Sequence, residues 1–189
     1  MINKKTIVLL GILTFCSEIG LAQENLALEE ELVEGEETEG RHSIGFVMSH
    51  TRIGEGRDAN GEKEFLTVPS FAIDYNYWLS EKFALGLHTD FIYESFIIEV
   101  ENDELIEREF PVAPVFMATY KPGKYWTFGL GFGGEFASNE TLFVTRLAVE
   151  YLVEIRNGWG VFGSLTQDFR ATTYNTTSLG IGIEKRFGK

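Results

Sequence analysis

Cysteine is almost missing from this sequence. The only one, Cys16, lies in the apolar opening segment, so the rest of the chain has no disulfide framework, thiolate metal site or cysteine nucleophile. Proline is scarce, at 4 residues against 20 glycines. Beyond the opening segment there is no run of 18 apolar residues, as a membrane-crossing helix would require, and no long 3.6-residue apolar period. Basic residues are outnumbered, 16 Lys and Arg against 29 Asp and Glu, and the net charge of -13 disfavours a nucleic-acid partner. EF-hand loops, Walker motifs and Cys/His metal spacings are also absent. What is abundant is aromatic and branched apolar side chain, with 14% aromatics arguing for a packed or lipid-embedded body rather than disorder.

The opening "MINKKTIVLLGILTFCSEIGLAQ" has Lys4 and Lys5, an apolar stretch from Thr6 to Phe15, and the small residues Gly20 and Ala22. Residues 1–22 therefore read as a secretory signal peptide cleaved before Gln23. Phe15 is too bulky to precede a lipidated cysteine, so Cys16 does not read as a lipoprotein anchor. Residues 23–40 hold eight acidic residues and no basic one. Such a run reads as a solvated periplasmic tail, with "LALEEELVE" able to form a short helix on a partner.

From His42 onward, period-2 alternation rich in Phe, Tyr, Val, Ile and Thr predicts strands at about 42–52, 65–78, 83–99, 108–120, 125–136, 142–156, 159–170 and 177–187. The connections alternate in length. "LSEK" (Leu79–Lys82), "KPGK" (Lys121–Lys124) and "NG" (Asn157, Gly158) are tight turns. Residues 53–64, 100–107, 137–141 and 171–176 are longer and mostly polar. Four long loops on one rim and three short turns on the other predict an all-β, up-and-down, eight-stranded antiparallel transmembrane β-barrel over residues 41–189, with both termini at the short-turn end.

Alternation alone does not say which face is inside. In the third strand Phe83, Leu85, Leu87 and Phe91 oppose Gly86, His88, Asp90 and Glu94; in the sixth Phe143, Leu147, Val149, Tyr151 and Val153 oppose Arg146, Glu150 and Glu154; in the eighth Leu179, Ile181, Ile183 and Phe187 oppose Gly180, Gly182, Glu184 and Arg186. An eight-stranded barrel has too little interior for so many large apolar groups. Glycine, recurring on the charged face, suits a crowded lumen. The charged face is therefore inside and the apolar face meets lipid. Asp74, His88, Asp90, Glu94, Glu135, Arg146, Glu150, Glu154, Asp168, Arg170, Glu184 and Arg186 are expected to form a lumen charge network, since buried charges persist when paired. Tyr77, Trp78, Tyr125, Trp126, Trp159 and Phe187 flank the short turns and are expected to form an aromatic girdle.

With these features in place, residues 41–189 resemble the small outer-membrane β-barrels of Gram-negative bacteria typified by OmpX and the membrane domain of OmpA. The likeness rests on strand count, loop alternation and the final "LGIGIEKRF", which is similar to the C-terminal signal read by the barrel-assembly machinery, although Gly188 and Lys189 follow the aromatic Phe187. The resemblance implies an outer-membrane location with periplasmic termini and contact with outer-membrane lipid and lipopolysaccharide. It implies the barrel-assembly machinery as a partner during biogenesis and a monomeric state, and no cofactor or activity.

Chemistry must then be sought residue by residue. His88 beside Asp90, Glu94 and Asp74 has the composition of a general base or metal site, but also that of a lumen ion-pair network with Arg146, Arg156, Arg170 and Arg186. Ser49 and His50 hint at a lipid-modifying enzyme without matching a deacylase motif. Asn139-Glu140-Thr141 and Asn175-Thr176-Thr177 match the N-glycosylation pattern, a coincidence in a bacterial envelope. Gly129, Gly131 and Gly134 satisfy G-x-G-x-x-G, yet they lie within a strand pattern rather than a turn opening a helix, which excludes a dinucleotide loop. The sequence thus favours a non-enzymatic barrel with a filled lumen, contributing to envelope structure or binding through loops. A narrow ion-conducting pore, a lipid-modifying enzyme and a soluble lipocalin-like carrier remain as rivals.

Overall fold

The computed structural model describes residues 40–54, 66–100, 104–138, 141–170 and 173–188. The expected signal peptide, the expected acidic tail up to residue 39, most of the first long loop, and the Asn139 and Glu140 positions lie outside the described residues.

Strands β1 (His42–Ile53), β2 (Leu66–Trp78), β3 (Phe83–Ile92), β6 (Val112–Tyr120), β7 (Trp126–Phe136), β8 (Thr141–Glu154), β9 (Trp159–Phe169) and β10 (Asn175–Phe187) close into one barrel in the order β1-β10-β9-β8-β7-β6-β3-β2. Every pairing is antiparallel and joins sequence neighbours around the wall, and β1 closes on β10 from His42↔Phe187 to Ile53↔Thr176. Closure leaves no unpaired strand edge, which matters where no water is present to satisfy backbone groups. At the tight turn between β8 and β9, Asn157 (φ 54°) and Gly158 (φ 72°) both adopt the left-handed conformation that a two-residue hairpin of this twist requires.

The structure corrects two boundaries. The expected third strand (83–99) leaves the wall at Ile92, and the expected fourth (108–120) rejoins it only at Val112. The segments between form a separate antiparallel hairpin, β4 (Phe96–Val100) with β5 (Glu104–Arg108), so part of the expected polar loop 100–107 is strand. Tyr93, Glu94 and Ser95 break the ladder on one side; on the other, Phe110 takes φ 42° and Pro111 has no N–H to offer.

Inside and outside follow the period-2 pattern. Outward-facing Phe46, Met48, Leu85, Phe116, Leu130, Leu147, Leu165 and Ile181 are well exposed, up to 74% for Phe116. All the Asp and Glu residues of the eight described barrel strands fall on the inward side. A wall apolar outside and charged inside is the reverse of a water-soluble protein and fits a hydrocarbon solvent. Strands such as β2, with 13 residues, and β8, with 14, exceed the 9 to 11 or so that a tilted strand needs to cross.

Candidate functional site: the closed lumen

The alternation that turns apolar side chains outward carries charged ones into a narrow interior, where each must find a partner. Arg146 on β8 is central. Its Nε donates to Asp168 Oδ1 at 2.7 Å and its Nη2 to Asp168 Oδ2 at 2.8 Å, a two-pronged contact with β9. The same Nη2 donates to Asp90 Oδ2 on β3 at 2.6 Å, spanning the lumen. Arg170, just beyond β9, continues the chain, its Nη2 lying 3.5 Å from Asp168 Oδ2 and 2.5 Å from Glu135 Oε2 on β7. Arg108, at the end of β5, donates to Glu135 Oε1 from Nη2 at 2.6 Å, and Tyr174 Oη donates to the same oxygen at 2.5 Å. The Arg170 guanidinium stacks over the Tyr174 ring at 4.4 Å. Three arginines and three carboxylates are thus joined in one network, with geometry that planar guanidinium supplies and ammonium would not.

Above this network the β4–β5 hairpin forms a lid. Phe96 and Ile98 from the hairpin pack with Ile53, Val68, Ile92, Leu142 and Tyr174 in a buried apolar cluster at the long-loop end. Phe96 meets Tyr174 edge-on, with ring centroids 5.7 Å apart. Toward the short-turn end, Phe162 fills the bore with Val47, Ala72 and Leu152, and Lys121 pairs with Glu154 at 2.7 Å. Among the described residues the lumen holds a cavity of about 20 Å³ lined by Asp74, His88, Asp90, Arg146 and Glu150 among others, and another of about 10 Å³ near Glu135 and Arg170. These suit single waters rather than a conduit.

Most expected lumen residues come together here, with differences that have physical reasons. Asp90, Arg146, Asp168, Arg170 and Glu135 form the network just described; Asp74 and His88 face each other across β2 and β3, with His88 Nδ1 3.5 Å from Asp74 Oδ1. Glu150, Glu184, Arg186 and Glu154 lie on inward positions nearer the short turns. Glu94 does not join: it is exposed in the break after β3, where the strand alternation that would have aimed it inward has ended. Arg156 is exposed in the tight turn after β8. Of the expected girdle, Tyr77, Tyr125, Trp126, Trp159 and Phe187 lie at the short-turn rim with their side chains partly or largely exposed. Trp78 does not belong with them, because it shares the inward parity of Asp74 and Asn76. It is 6% exposed, donates from Nε1 to Ser43 Oγ at 3.2 Å, and lies under the Arg186 guanidinium at 4.3 Å.

Sequence reasoning missed Arg108, Tyr174, Lys121 and Asn76. Parity along β2 would have found Asn76, two positions from Asp74. The others sit at strand ends or in loops, where no local period operates. It also missed a second belt at the long-loop rim, where Tyr93, Phe110, Phe136 and Phe143 are all exposed and Tyr93 meets Phe110 at 6.0 Å. Ser49 and His50 cannot act as nucleophile and base together, since Ser49 is inward and bonded to Ser70 Oγ at 2.7 Å while His50 points outward. The glycines of the G-x-G-x-x-G run lie within β7, and a Cβ on Gly131 would come 2.5 Å from the Phe116 carbonyl oxygen and 2.7 Å from Val115.

No protein-family model and no curated protein matches the sequence. Solved structures do share its architecture. The outer membrane protein OprG from Pseudomonas aeruginosa aligns with a TM-score of 0.56 at 8% identity, covering 80% of this chain and 99% of that one. Neisserial surface protein A aligns at 0.49 with 7% identity over 77% and 97% of the two chains, and the N-terminal β-barrel domain of Pseudomonas aeruginosa OprF at 0.48 with 11% identity over 77% and 99%. The assignment rests on the first of these, and at such identities it concerns fold alone. The chain has the fold of the small eight-stranded outer-membrane β-barrels: closed, antiparallel and up-and-down.

Proposed function

We propose that this protein is an integral outer-membrane barrel that works from its surfaces, reinforcing the envelope or binding through its long-loop end, with no catalytic step and no open channel. The observation that carries this reading is the lumen, blocked at mid-height by Arg146 bridging Asp90 and Asp168 and covered by the β4–β5 hairpin. On this reading the termini and short turns face the periplasm, and the girdle and the Tyr93–Phe110 belt mark the two interfaces. Lipid and lipopolysaccharide surround the wall, the barrel-assembly machinery inserts it, and one chain suffices because the sheet has no edge to share.

Envelope fractionation combined with gel mobility before and after boiling tests this. The protein is expected in the detergent-extracted membrane fraction as a band that shifts on boiling, with no conductance steps in planar bilayers and no change in lipid A mass on overexpression. Recovery in the soluble fraction without detergent would establish a carrier instead. Discrete conductance, or a lipid A change abolished by His88→Ala or His50→Ala, would establish a pore or an enzyme.

A further inference from the structure

Most lumen charges are matched: Asp90, Asp168 and Glu135 by Arg146, Arg170 and Arg108, and Glu154 by Lys121. Glu184 has Arg186 and Lys121 as cationic neighbours. Asp74 and Glu150 are different. The cation nearest in effect to Asp74 is Arg146, which is already bonded to two other aspartates. Glu150 has two acidic neighbours, Asp74 and Glu184.

Asp74, His88 and Glu150 border the 20 Å³ cavity together, and one donor atom from each lies within 4.8 Å of the others. Asp74 is buried, and its Oδ1 accepts no hydrogen bond. The imidazole supplies the decisive detail. Its Nε2 is 2.9 Å from Asn76 Oδ1, an atom that can only accept, so in the neutral ring with the amide so oriented the proton is assigned to Nε2 and Nδ1 presents a lone pair. That lone pair faces Asp74 Oδ1 at 3.5 Å, too far for a hydrogen bond. A bare nitrogen and a bare carboxylate oxygen at this distance match the roughly 3.4 Å edge of a tetrahedron whose metal–ligand bonds are about 2.1 Å. A histidine held by a carbonyl-type acceptor at its other nitrogen is the usual outer support of a metal ligand.

The geometry points to a divalent transition-metal site in the lumen, with Asp74, His88 and Glu150 as ligands, water in the fourth position, and Zn²⁺ as the best-suited ion. The donor set of one imidazole and two carboxylates suits Zn²⁺ better than Ca²⁺ or Mg²⁺, which prefer all-oxygen shells of higher coordination. Two positive charges offset Asp74 and Glu150, and the net charge of Arg146 with Asp90 and Asp168 does not oppose them. Asp74 and His88 come from adjacent strands and Glu150 from the far wall, so the ion pins opposite sides of the barrel together. Because Phe162 lies on one side and the hairpin lid on the other, the ion is placed while the strands close.

The test uses the untagged full chain folded into micelles with Zn²⁺ present, then stripped of loose metal by gel filtration. One Zn²⁺ per folded chain is expected, with Co²⁺ in its place giving the visible absorption of a tetrahedral site. Asp74→Asn, Glu150→Gln and His88→Gln are each expected to weaken binding at least tenfold, the scale set by lesser, outer-shell changes. Glu107→Gln, at an exposed position of β5, and the paired His42→Gln/His50→Gln variant are expected to keep the ion. The boiling-dependent band shift certifies that each variant is folded, and a wild-type barrel is expected to resist heat longer with Zn²⁺ than with chelator. Folded protein without stoichiometric metal would overturn the proposal. So would metal that survives His88→Gln and disappears with His42 and His50.

Discussion

Arg146 holds two aspartates from opposite sides of the bore, and its loss exposes what each charge costs alone. In Arg146→Met, the buried Asp168 and the half-buried Asp90 lose that cation, a defect worth about 3–5 kcal/mol. Urea unfolding in micelles is expected to show that drop, and Arg146→Met/Asp90→Asn/Asp168→Asn to recover most of it, because uncharged partners no longer need the guanidinium. Arg146→Lys keeps charge but loses the two-pronged contact with Asp168 and falls between. A steric counterpart sits toward the short turns. A Cβ on Gly182 would come 2.5 Å from the Phe162 ring. Overpacking of this kind costs about 1–3 kcal/mol. Gly182→Ala is therefore expected to lower unfolding stability, and Phe162→Leu to relieve the penalty in the double variant, whereas a glycine needed only for backbone freedom would show no such rescue.

At the scale of elements, the β4–β5 hairpin separates the wall from what closes it. The wall strands pair without it, and its own contribution is the lid of Phe96, Ile98 and Arg108. Replacing residues 95–109 with a short Gly-Ser linker is expected to leave the boiling-dependent band shift intact while opening the long-loop end. In a Cys16→Ser background, Val68→Cys reports this: its site is 4% exposed, so a maleimide should label it slowly in the complete barrel and rapidly once the hairpin is gone. Unchanged labelling would mean that other segments cover the mouth. The hairpin was also the least legible part of the sequence. "FIIEV" continues the apolar run of the expected third strand and "ELIER" sits in what reads as a polar loop, so local pattern could not show where the chain leaves the wall. By contrast, the eight wall strands and their faces were readable because glycine and charge recur on one parity and large apolar groups on the other. That same parity assigns Trp78 inward beside Asp74 and Asn76, a signal outweighed by the habit of placing tryptophan at an interface. Arg108 and Tyr174 had no such signal, since tertiary folding of loops brings them to Glu135.

For the whole molecule the question is which solvent the outer face meets. Along β10 the outward positions run Asn175, Thr177, Leu179, Ile181, Ile183, Lys185 and Phe187, polar at the long-loop end and apolar in the middle. Near the short turns Lys185 reaches the Asn157 carbonyl and covers the Trp159 ring at 5.3 Å, keeping its charge at the rim. Thr177 instead donates to Gln167 Oε1 at 2.6 Å, a polar contact on the part of the strand that outruns the apolar band. If lipid surrounds the wall, an arginine placed outward should cost an amount set by depth alone. Ile181→Arg, at a position 70% exposed and without close packing to lose, is expected to cost about 2–4 kcal/mol in lipid vesicles, and Thr177→Arg about 0–1 kcal/mol. The contrast is diagnostic because local structure predicts the reverse: Thr177 gives up a hydrogen bond and Ile181 gives up almost nothing. In water, with the same fold, Ile181→Arg would be neutral or improve solubility. Equal stabilities for the two variants in vesicles would remove the membrane from the explanation of this sequence, and a depth-dependent penalty would fix the height at which the barrel sits.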